Sequence, residues 1–295
     1  MVDIYHLTSD QMVLFCEART VFTEAARLRL IATGTGTLYV RVTQHGIDAG
    51  GSDLATVLGL PDSVLAPAVK SAILYKSAVD TTQAIYDSPT RPKNLAVAQH
   101  IVGMVALRLS SSPDAFISLV EMMDHDTHLY SHAVNVCTYT VALGERMNLL
   151  KPVVIALGTS ALVHDVGMSR VDRSVLNKPG PLTQAEFAII RDHPEWGLEQ
   201  LGALGTQHEL IASVVRDHHE RLDGSGYPRG LRGNRIDLLA RMVAIADVYE
   251  ALTSNRPYRR GLTPYEALEI IRRMLSQFDP DVFAQFVLLL GDVKP

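Results

Sequence analysis

The chain has 295 residues, of which 47% are hydrophobic, a length and composition typical of one large or two modest globular domains. Its net charge of −5 argues against bulk electrostatic binding to a nucleic acid polymer or to a membrane surface. The two cysteines, Cys16 and Cys137, form no CxxC motif, so we expect a cytoplasmic protein without disulfides.

Neither a signal peptide nor a membrane span is expected from the sequence. The first residues lack the charged and apolar regions of a secretory signal. The apolar stretch Pro152–Val163 is shorter than the roughly 20 residues that a spanning helix needs. It predicts a buried helix instead.

The first part of the chain predicts a small β-β-α-β unit. Runs of β-forming residues indicate strands over Val2–Leu7, Met12–Cys16 and Thr37–Val42. Thr23 is a typical N-cap for a helix over Glu24–Thr33. Two longer helices follow, over residues 64–86 and 94–109, and no catalytic constellation precedes about residue 120. We therefore predict an accessory region over residues 1–114.

The sequence from residue 115 onward predicts almost only helix. Thr183, with Glu186 three residues later, forms a capping box at one helix start. Loops are expected over Ser169–Pro181 and Arg221–Arg235. The predicted helices are Ala115–Met123, Leu129–Asn148, Lys151–His164, Gln184–Asp192, Glu195–Leu204, Gln207–His219, Asp237–Ser254, Pro264–Gln277 and Pro280–Leu290. The fold class is thus mainly α, with a helical domain over residues 115–295 and a smaller α/β region before it.

A His-Asp pair, His164-Asp165, follows an apolar run and is a candidate metal-binding motif. Adjacent imidazole and carboxylate groups can bind different metal ions, with the carboxylate as a bridge. A single such pair is also typical of a capped helix end. The same half of the chain, however, supplies further ligand-type side chains at helix ends or in apolar segments, namely His132, His193, His218, His219 and Asp247.

This set has too many members for one metal ion and predicts two. Imidazole and carboxylate suit iron, manganese or zinc, and the lack of thiolates disfavours a structural zinc site. Asp247 lies in an apolar segment, where an unpaired carboxylate is costly to bury and metal ligation would offset that cost. We expect iron first and manganese next.

Two bound metal ions can hold a phosphodiester and activate water for in-line attack. Arginines suit phosphate oxygens because the guanidinium binds them in a bidentate manner. The stretch after the histidine pair is rich in them, with Arg221, Arg229, Arg232, Arg235, Arg241, Arg256, Arg259 and Arg260. A solvated basic surface is the alternative interpretation.

Several segments closely resemble the HD-GYP domain, a subclass of the HD phosphohydrolase superfamily. They are His164-Asp165, His218-His219 through Gly226-Tyr227-Pro228, Ala246-Asp247 through Arg259, Asn177 through Thr183, His193-Pro194, and Tyr130 through Val136. The resemblance covers about residues 120–290. It implies an HD-type helical bundle with two or three divalent metal ions that hydrolyses cyclic di-GMP to pGpG or GMP.

The resemblance also implies roles for individual residues. His164 and Asp165 would be catalytic and would bind metal together with His132, His193, His218, His219 and Asp247. Substrate binding would involve Gly226, Tyr227, Pro228, Arg256, Arg259 and Lys178, although the Tyr227 ring could equally be a packed turn residue. Accessory regions before such domains imply roles in regulation, dimerisation or signal input, with diguanylate cyclase-type proteins as candidate partners.

Two positions depart from the family pattern. Met168 replaces a lysine that is thought to approach the scissile phosphate, which puts the catalytic rate in doubt. His128 stands where trinuclear members have a carboxylate ligand, one helical turn before His132, and is a candidate ligand for a third metal. Three hypotheses follow: a cyclic di-GMP phosphodiesterase, a cyclic dinucleotide receptor or protein-interaction module without turnover, and an HD-type hydrolase of another nucleotide.

Overall fold

The computed structural model describes residues 4–8, 11–16, 38–40, 52–112, 114–123, 129–176, 178, 180–202, 209–255 and 259–291. Contacts between Cα atoms divide the chain into two compact units, Met1–Leu74 and Tyr75–Pro295. The described residues are mainly helical, as predicted.

A three-stranded antiparallel sheet lies in the first unit. Its strands are β1 (Ile4–Thr8), β2 (Gln11–Cys16) and β3 (Leu38–Val40), in the order β2-β1-β3. All three overlap the strands predicted from the sequence. The expected helix Glu24–Thr33 lies outside the described residues, so the β-β-α-β unit as a whole stays a prediction. A short helix over Ser52–Leu58, which we call α1, was not predicted.

The remaining helices follow the predicted order closely. They are α2 (Pro67–Asp87), α3 (Asn94–Ser111), α4 (Ala115–Val120), α5 (Leu129–Arg146), α6 (Lys151–Val163), α7 (Arg173–Leu176), α8 (Gln184–Arg191), α9 (His193–Gly202), α10 (Glu209–Asp217), α11 (Leu238–Thr253), α12 (Pro264–Arg273) and α13 (Pro280–Gly291). The predicted loop Ser169–Pro181 is partly wrong, because a 3₁₀ helix over Val166–Arg170 and α7 occupy much of it.

Local sequence signals explain several helix ends. The side chain of Thr183 accepts a hydrogen bond from the Glu186 backbone N–H, which confirms the predicted capping box at α8. Thr263 and Glu266 form a second capping box at α12. Helix α5 stops shortly before Asn148, whose φ of 55° lies in the left-handed region that asparagine tolerates.

Helix α6 lies at the centre of the second unit and contacts α3, α5 and α10. Gly158 allows this close packing. A Cβ atom at this position would lie 2.5 Å from a Val141 methyl group on α5 and 2.6 Å from a Val102 methyl group on α3. The end of α6 is therefore held by neighbouring helices in a fixed place, and that end carries His164 and Asp165.

Helix α3 belongs to the same compact unit as the histidine-bearing helices, although the predicted accessory region includes it. The boundary at residue 114 stays a prediction about where an independent domain begins. One described helical stretch, Lys151–Arg170, is long and apolar enough to span a membrane, but 67% of its apolar 18-residue window is buried within the protein. This burial is what the core helix of a soluble protein also shows.

Candidate metal centre

Five elements bring the predicted ligands together. His132 lies in the first turn of α5, and His164 directly follows the last residue of α6. His193 begins α9, His218-His219 follow α10, and Asp247 lies within α11. The candidate ligands form two groups, and within each group the ligand atoms lie within 4.8 Å of one another. The first group is Asp165, His193, His218 and His219, and the second is His132, His164 and Asp165.

Asp165 belongs to both groups, and each of its oxygens faces a different one. Oδ1 lies 3.0 Å from Nε2 of His193 and 3.6 Å from Nε2 of His218. Oδ2 lies 3.5 Å from Nε2 of His164 and 3.9 Å from Nε2 of His132. This is the geometry of a carboxylate that can bridge two cations.

Asp247 spans the two groups in the same way. Its Oδ1 lies 3.3 Å from Nε2 of His132, and its Oδ2 lies 3.9 Å from Nδ1 of His219. Two carboxylates thus lie between two sets of imidazoles. The arrangement provides oxygen and nitrogen donors for a pair of divalent metal ions.

Three of the histidines are oriented by the backbone. The Nδ1–H groups of His164, His193 and His218 donate to the carbonyls three residues earlier, over 2.7, 2.7 and 2.8 Å. A carbonyl oxygen can only accept, so Nδ1 carries a proton and Nε2 is the ring nitrogen that faces the site. All three Nε2 atoms are therefore oriented so that a metal ion could bind them.

The buried atoms fit a metal centre better than an uncharged polar cluster. Nε2 of His164 is buried and, among the described residues, has no hydrogen-bond partner. The Nε2 atoms of His193 and His218 lie 3.2 Å apart and both face Oδ1 of Asp165. A cation would satisfy Nε2 of His164, which would otherwise be a buried polar atom without a partner. The residues present therefore fit divalent metal ions.

Burial and neighbouring charges shift the pKa values of Asp165 and His164. Burial alone would raise the pKa of Asp165, but His164 and His193 hold it well below its usual range, so this carboxyl is ionised. Burial lowers the pKa of His164 to about 4, which leaves its imidazole neutral at physiological pH. Ionised carboxylate and neutral imidazole are the states in which these groups bind metals.

The Gly-Tyr-Pro loop packs directly against this centre. The ring of Tyr227 stacks on His219 with centroids 4.6 Å apart and planes tilted by 28°. Gly226 permits the approach, because a Cβ atom there would lie 2.5 Å from the His219 carbonyl oxygen and 2.4 Å from the Arg221 nitrogen. The Tyr227 ring thus covers one ligand of the site.

Buried acidic side chains anchor the rest of this loop. The carboxylate of Glu220 accepts hydrogen bonds from the backbone N–H groups of Arg229 and Leu231, over 2.7 and 2.8 Å. The buried Asp217 forms an ion pair with the Arg229 guanidinium, whose Nε lies 3.1 Å from Oδ1. These bonds fix the loop that carries Tyr227.

Two arginines next to Tyr227 add positive charge. The Arg191 guanidinium, at the end of α8, lies over the Tyr227 ring, 4.7 Å from its centroid. The Arg221 guanidinium lies over Phe278 and donates to the carbonyls of His218 and Glu220. The sequence analysis did not single out Arg191, although its position two residues before His193 could have indicated it.

For the remaining predicted site residues, the structure shows contacts within the protein or describes no position. Lys178 binds the Glu186 carboxylate over 2.6 Å. Arg259 donates to the carbonyls of Ala251 and Leu252 at the end of α11. Arg256 and His128 lie outside the described residues. The roles predicted for all four stay predictions.

Sequence reasoning also missed Glu250. This residue lies in the quoted segment that follows Asp247, and its carboxylate binds Nδ1 of His132. Its place three residues after Asp247 in an apolar helix was a usable signal, because that spacing puts both carboxylates on one helix face. Met168, the departure from the lysine of the family, lies half-buried in the 3₁₀ helix directly after the His-Asp pair.

Comparison with known proteins agrees with this fold. The chain belongs to the HD domain family, whose sequence pattern matches residues 118–282. A cyclic di-GMP phosphodiesterase of Pseudomonas aeruginosa is 42% identical over 66% of this chain and 47% of its own length. A 3'3'-cGAMP-specific phosphodiesterase of Vibrio cholerae is 33% identical over 67% of this chain and 43% of its own length. The resemblance to HD-GYP proteins is thereby confirmed.

A solved structure supports the fold over nearly the whole length. An HDG"Y"P protein from Bdellovibrio bacteriovorus matches with a TM-score of 0.69, covering 98% of this chain and 94% of its own. At 17% identity, this likeness shows the shared fold alone. The chain spans less than half the length of the Pseudomonas and Vibrio relatives.

Proposed function

We propose that the chain is a metal-dependent phosphodiesterase that hydrolyses cyclic di-GMP to pGpG or GMP. The observation that carries the proposal is the pair of carboxylates, Asp165 and Asp247, each of which faces two groups of imidazoles with its two oxygens. A bound pair of divalent ions would clamp the phosphodiester and supply an activated water at neutral pH.

We propose His132, His164, Asp165, His193, His218, His219 and Asp247 as the metal ligands. Asp165 is the proposed bridging group. One of its oxygens faces each of the two groups of ligand atoms, and these oxygens lie 3.0 to 3.6 Å from the Nε2 atoms of His164, His193 and His218. Iron is the first choice of metal and manganese the second, since mixed imidazole and carboxylate sites suit both. A third ion would need His128.

Substrate binding is proposed to occur over the Gly-Tyr-Pro loop. The Tyr227 ring lies beside the proposed metal ligands, where it contacts His219 and the Arg191 guanidinium, and Arg221 lies near it. Guanidinium groups bind phosphate oxygens in a bidentate manner, so these arginines suit the phosphates of the dinucleotide. Lys178, Arg256 and Arg259 remain proposed contacts to the dinucleotide.

Turnover by the purified protein tests the proposal. Protein loaded with Fe²⁺ or Mn²⁺ should convert cyclic di-GMP to pGpG or GMP, and Asp165→Ala should reduce the rate by at least about a thousandfold because the bridge between the ions is lost. Chromatography of the products over time gives the rates of the wild-type protein and of the Asp165→Ala variant. Metal-replete wild-type protein that leaves the ring intact would overturn the assignment.

A second candidate substrate is 3'3'-cGAMP, because one of the similar proteins is named for that specificity. A panel of the two cyclic dinucleotides, compared by kcat/KM, separates these alternatives. A receptor without turnover is the third candidate and draws its support from Met168; calorimetry would then show affinity without product. We further propose a cytoplasmic location, homodimerisation and signalling partners of the diguanylate cyclase type.

A further inference from the structure

The histidines of the metal centre are not all oriented in the same way. His164, His193 and His218 each use a backbone carbonyl one helical turn earlier. His132 instead directs Nδ1 to the Oε2 atom of Glu250, which lies on a different helix, α11. The orientation of this one imidazole therefore depends on a side chain that a single substitution can change.

We propose that Glu250 is a positioning residue, which holds the His132 ring with Nδ1 donating to its carboxylate and with Nε2, the atom that would bind metal, facing Asp165 and Asp247. An ionised carboxylate accepts hydrogen bonds and cannot donate them, so Nδ1 of His132 must carry the proton. Nε2 is then left as the metal-binding atom. The inference rests on the proposed metal ligands, of which His132 is one.

Glu250 is itself fixed by a buried hydrogen-bond network. Its Oε1 atom accepts from Nδ2 of Asn135 over 3.0 Å and from Oγ of Ser254 over 2.6 Å. The hydroxyl of Tyr75 donates to Oδ1 of Asn135 over 2.8 Å, which orients the amide so that its NH₂ group faces Glu250. With Oε1 occupied on this side, Oε2 is held toward His132.

Helix α11 therefore contacts both nitrogens of one imidazole. Asp247 lies 3.3 Å from Nε2, and Glu250, three residues later, binds Nδ1. Residues at this spacing share a helix face. A carboxylate behind a metal-binding histidine fixes the ring and raises its basicity, and loss of such a partner typically costs about 10- to 100-fold in metal affinity.

The isosteric variant Glu250→Gln tests the proposal. Its carbonyl can keep the bonds from Asn135 and Ser254, while its NH₂ group would donate to Nδ1 of His132. The proton would then move to Nε2, which can no longer bind a metal. We expect Mn²⁺ affinity at one of the two sites to fall about 10- to 100-fold, with one ion fewer per chain at limiting metal. Elemental analysis and calorimetry measure this directly.

Asp279→Asn is a matched control within the same compact unit. It is also a carboxylate-to-amide change in a partly buried pair, since Asp279 accepts from Arg241 over 3.0 Å and from the backbone N–H groups of Asp281 and Val282. We expect this variant to keep the wild-type metal count. If Glu250→Gln is folded by circular dichroism and binds metal with wild-type stoichiometry and affinity, the proposal is overturned.

A measurement on the wild-type protein covers the case in which Glu250→Gln does not fold. Long-range ¹⁵N NMR of the Zn²⁺-loaded protein should show His132 protonated at Nδ1 and ligated at Nε2. A proton on Nε2, or a metal on Nδ1, would contradict the proposal. Neither experiment requires hydrolysis, so a protein that fails to cleave cyclic di-GMP but shows the expected tautomer would refute only the proposed function.

Discussion

At the scale of single residues, the site brings together the seven predicted metal ligands but has a methionine where the family resemblance predicts a lysine. Met168 is half-buried in the 3₁₀ helix next to Asp165, where the family usually has a lysine. A methionine can contribute packing but no positive charge to a phosphate in the transition state. A substitution of Met168 can therefore change the catalytic rate without changing the groups that would bind metal.

Substitution of Met168 by lysine should raise kcat without a change in bound metal. A single well-placed donor to a developing negative charge is typically worth about 100-fold or more, and we expect a gain of at least about tenfold in a site that has adapted to methionine. Steady-state kinetics with cyclic di-GMP, beside elemental analysis of the same samples, measure both quantities.

Met168→Leu is the control, because it keeps an apolar side chain of similar volume. It should leave kcat within about twofold of wild type. A lysine variant that binds metal normally and is no faster than the leucine variant would show that the missing cation does not limit the reaction.

At the scale of elements, the Gly-Tyr-Pro loop is a rigid attachment to the metal centre. Glu220 and Asp217 hold the loop from within the domain, and Gly226 lets its backbone pass against the carbonyl of His219. Gly226 is needed because its backbone lies against the backbone of His219, Glu220 and Arg221, where a side chain would not fit. Tyr227 owes its stacked position to this contact.

Replacement of Gly226 by alanine should displace Tyr227 from His219. The added Cβ atom would meet three backbone atoms at 2.4 to 2.5 Å, so the loop must move. We expect the metal count to stay at the wild-type value, because the proposed ligands lie outside the loop. KM for the dinucleotide should rise about tenfold, equivalent to about 1.4 kcal/mol, because the displaced loop carries the proposed substrate contacts. Elemental analysis and kinetics separate the two effects.

Gly202→Ala offers a comparison, since nothing lies within 4 Å of a Cβ atom at that position. This variant should keep both metal content and KM. Unchanged KM in the Gly226 variant would mean that the loop does not contact the substrate.

The sequence predicted the elements better than the contacts between them. Helix order and the capping box at Thr183 could be read from periodicity and capping residues, and motif spacing indicated which histidines and aspartates would lie close together. The 3₁₀ helix after Asp165 could not, because its path depends on packing against α9, where Gly167 approaches the His193 backbone. Glu250 and Arg191 lie close in sequence to predicted ligands, but their partners, His132 and Tyr227, lie far away in the chain, so these contacts could not be read from the sequence.

At the scale of the whole molecule, the histidine-bearing unit extends well before residue 115. Helix α3 contributes buried residues such as Ala98, Ile101, Val102 and Val105 to its core. Tyr86 on α2 donates a hydrogen bond to the Leu162 carbonyl near the end of α6. These contacts support the helix end that carries the His-Asp pair.

Truncation distinguishes the predicted boundary from the observed unit. A chain of residues 61–295 keeps α2 and α3 whole and should unfold cooperatively and bind metal. A chain of residues 115–295 should not fold stably, because each large buried aliphatic side chain lost from the core removes about 1.5–3 kcal/mol from a net stability of about 5–15 kcal/mol. Thermal unfolding monitored by circular dichroism, together with metal content, provides the comparison. A cooperative unfolding transition in the shorter chain would instead support the predicted domain boundary at residue 114.

The carbonyls that orient His164, His193 and His218 belong to the last turns of α6, α8 and α10. Aligned peptide dipoles leave about half a negative charge at the C-terminal end of a helix. The N-terminal ends of α5 and α9, which carry His132 and His193, bring the opposite partial charge to the same site. Helix ends of both signs therefore meet here, and the three carbonyls set the direction of the imidazoles rather than the sign of the local field.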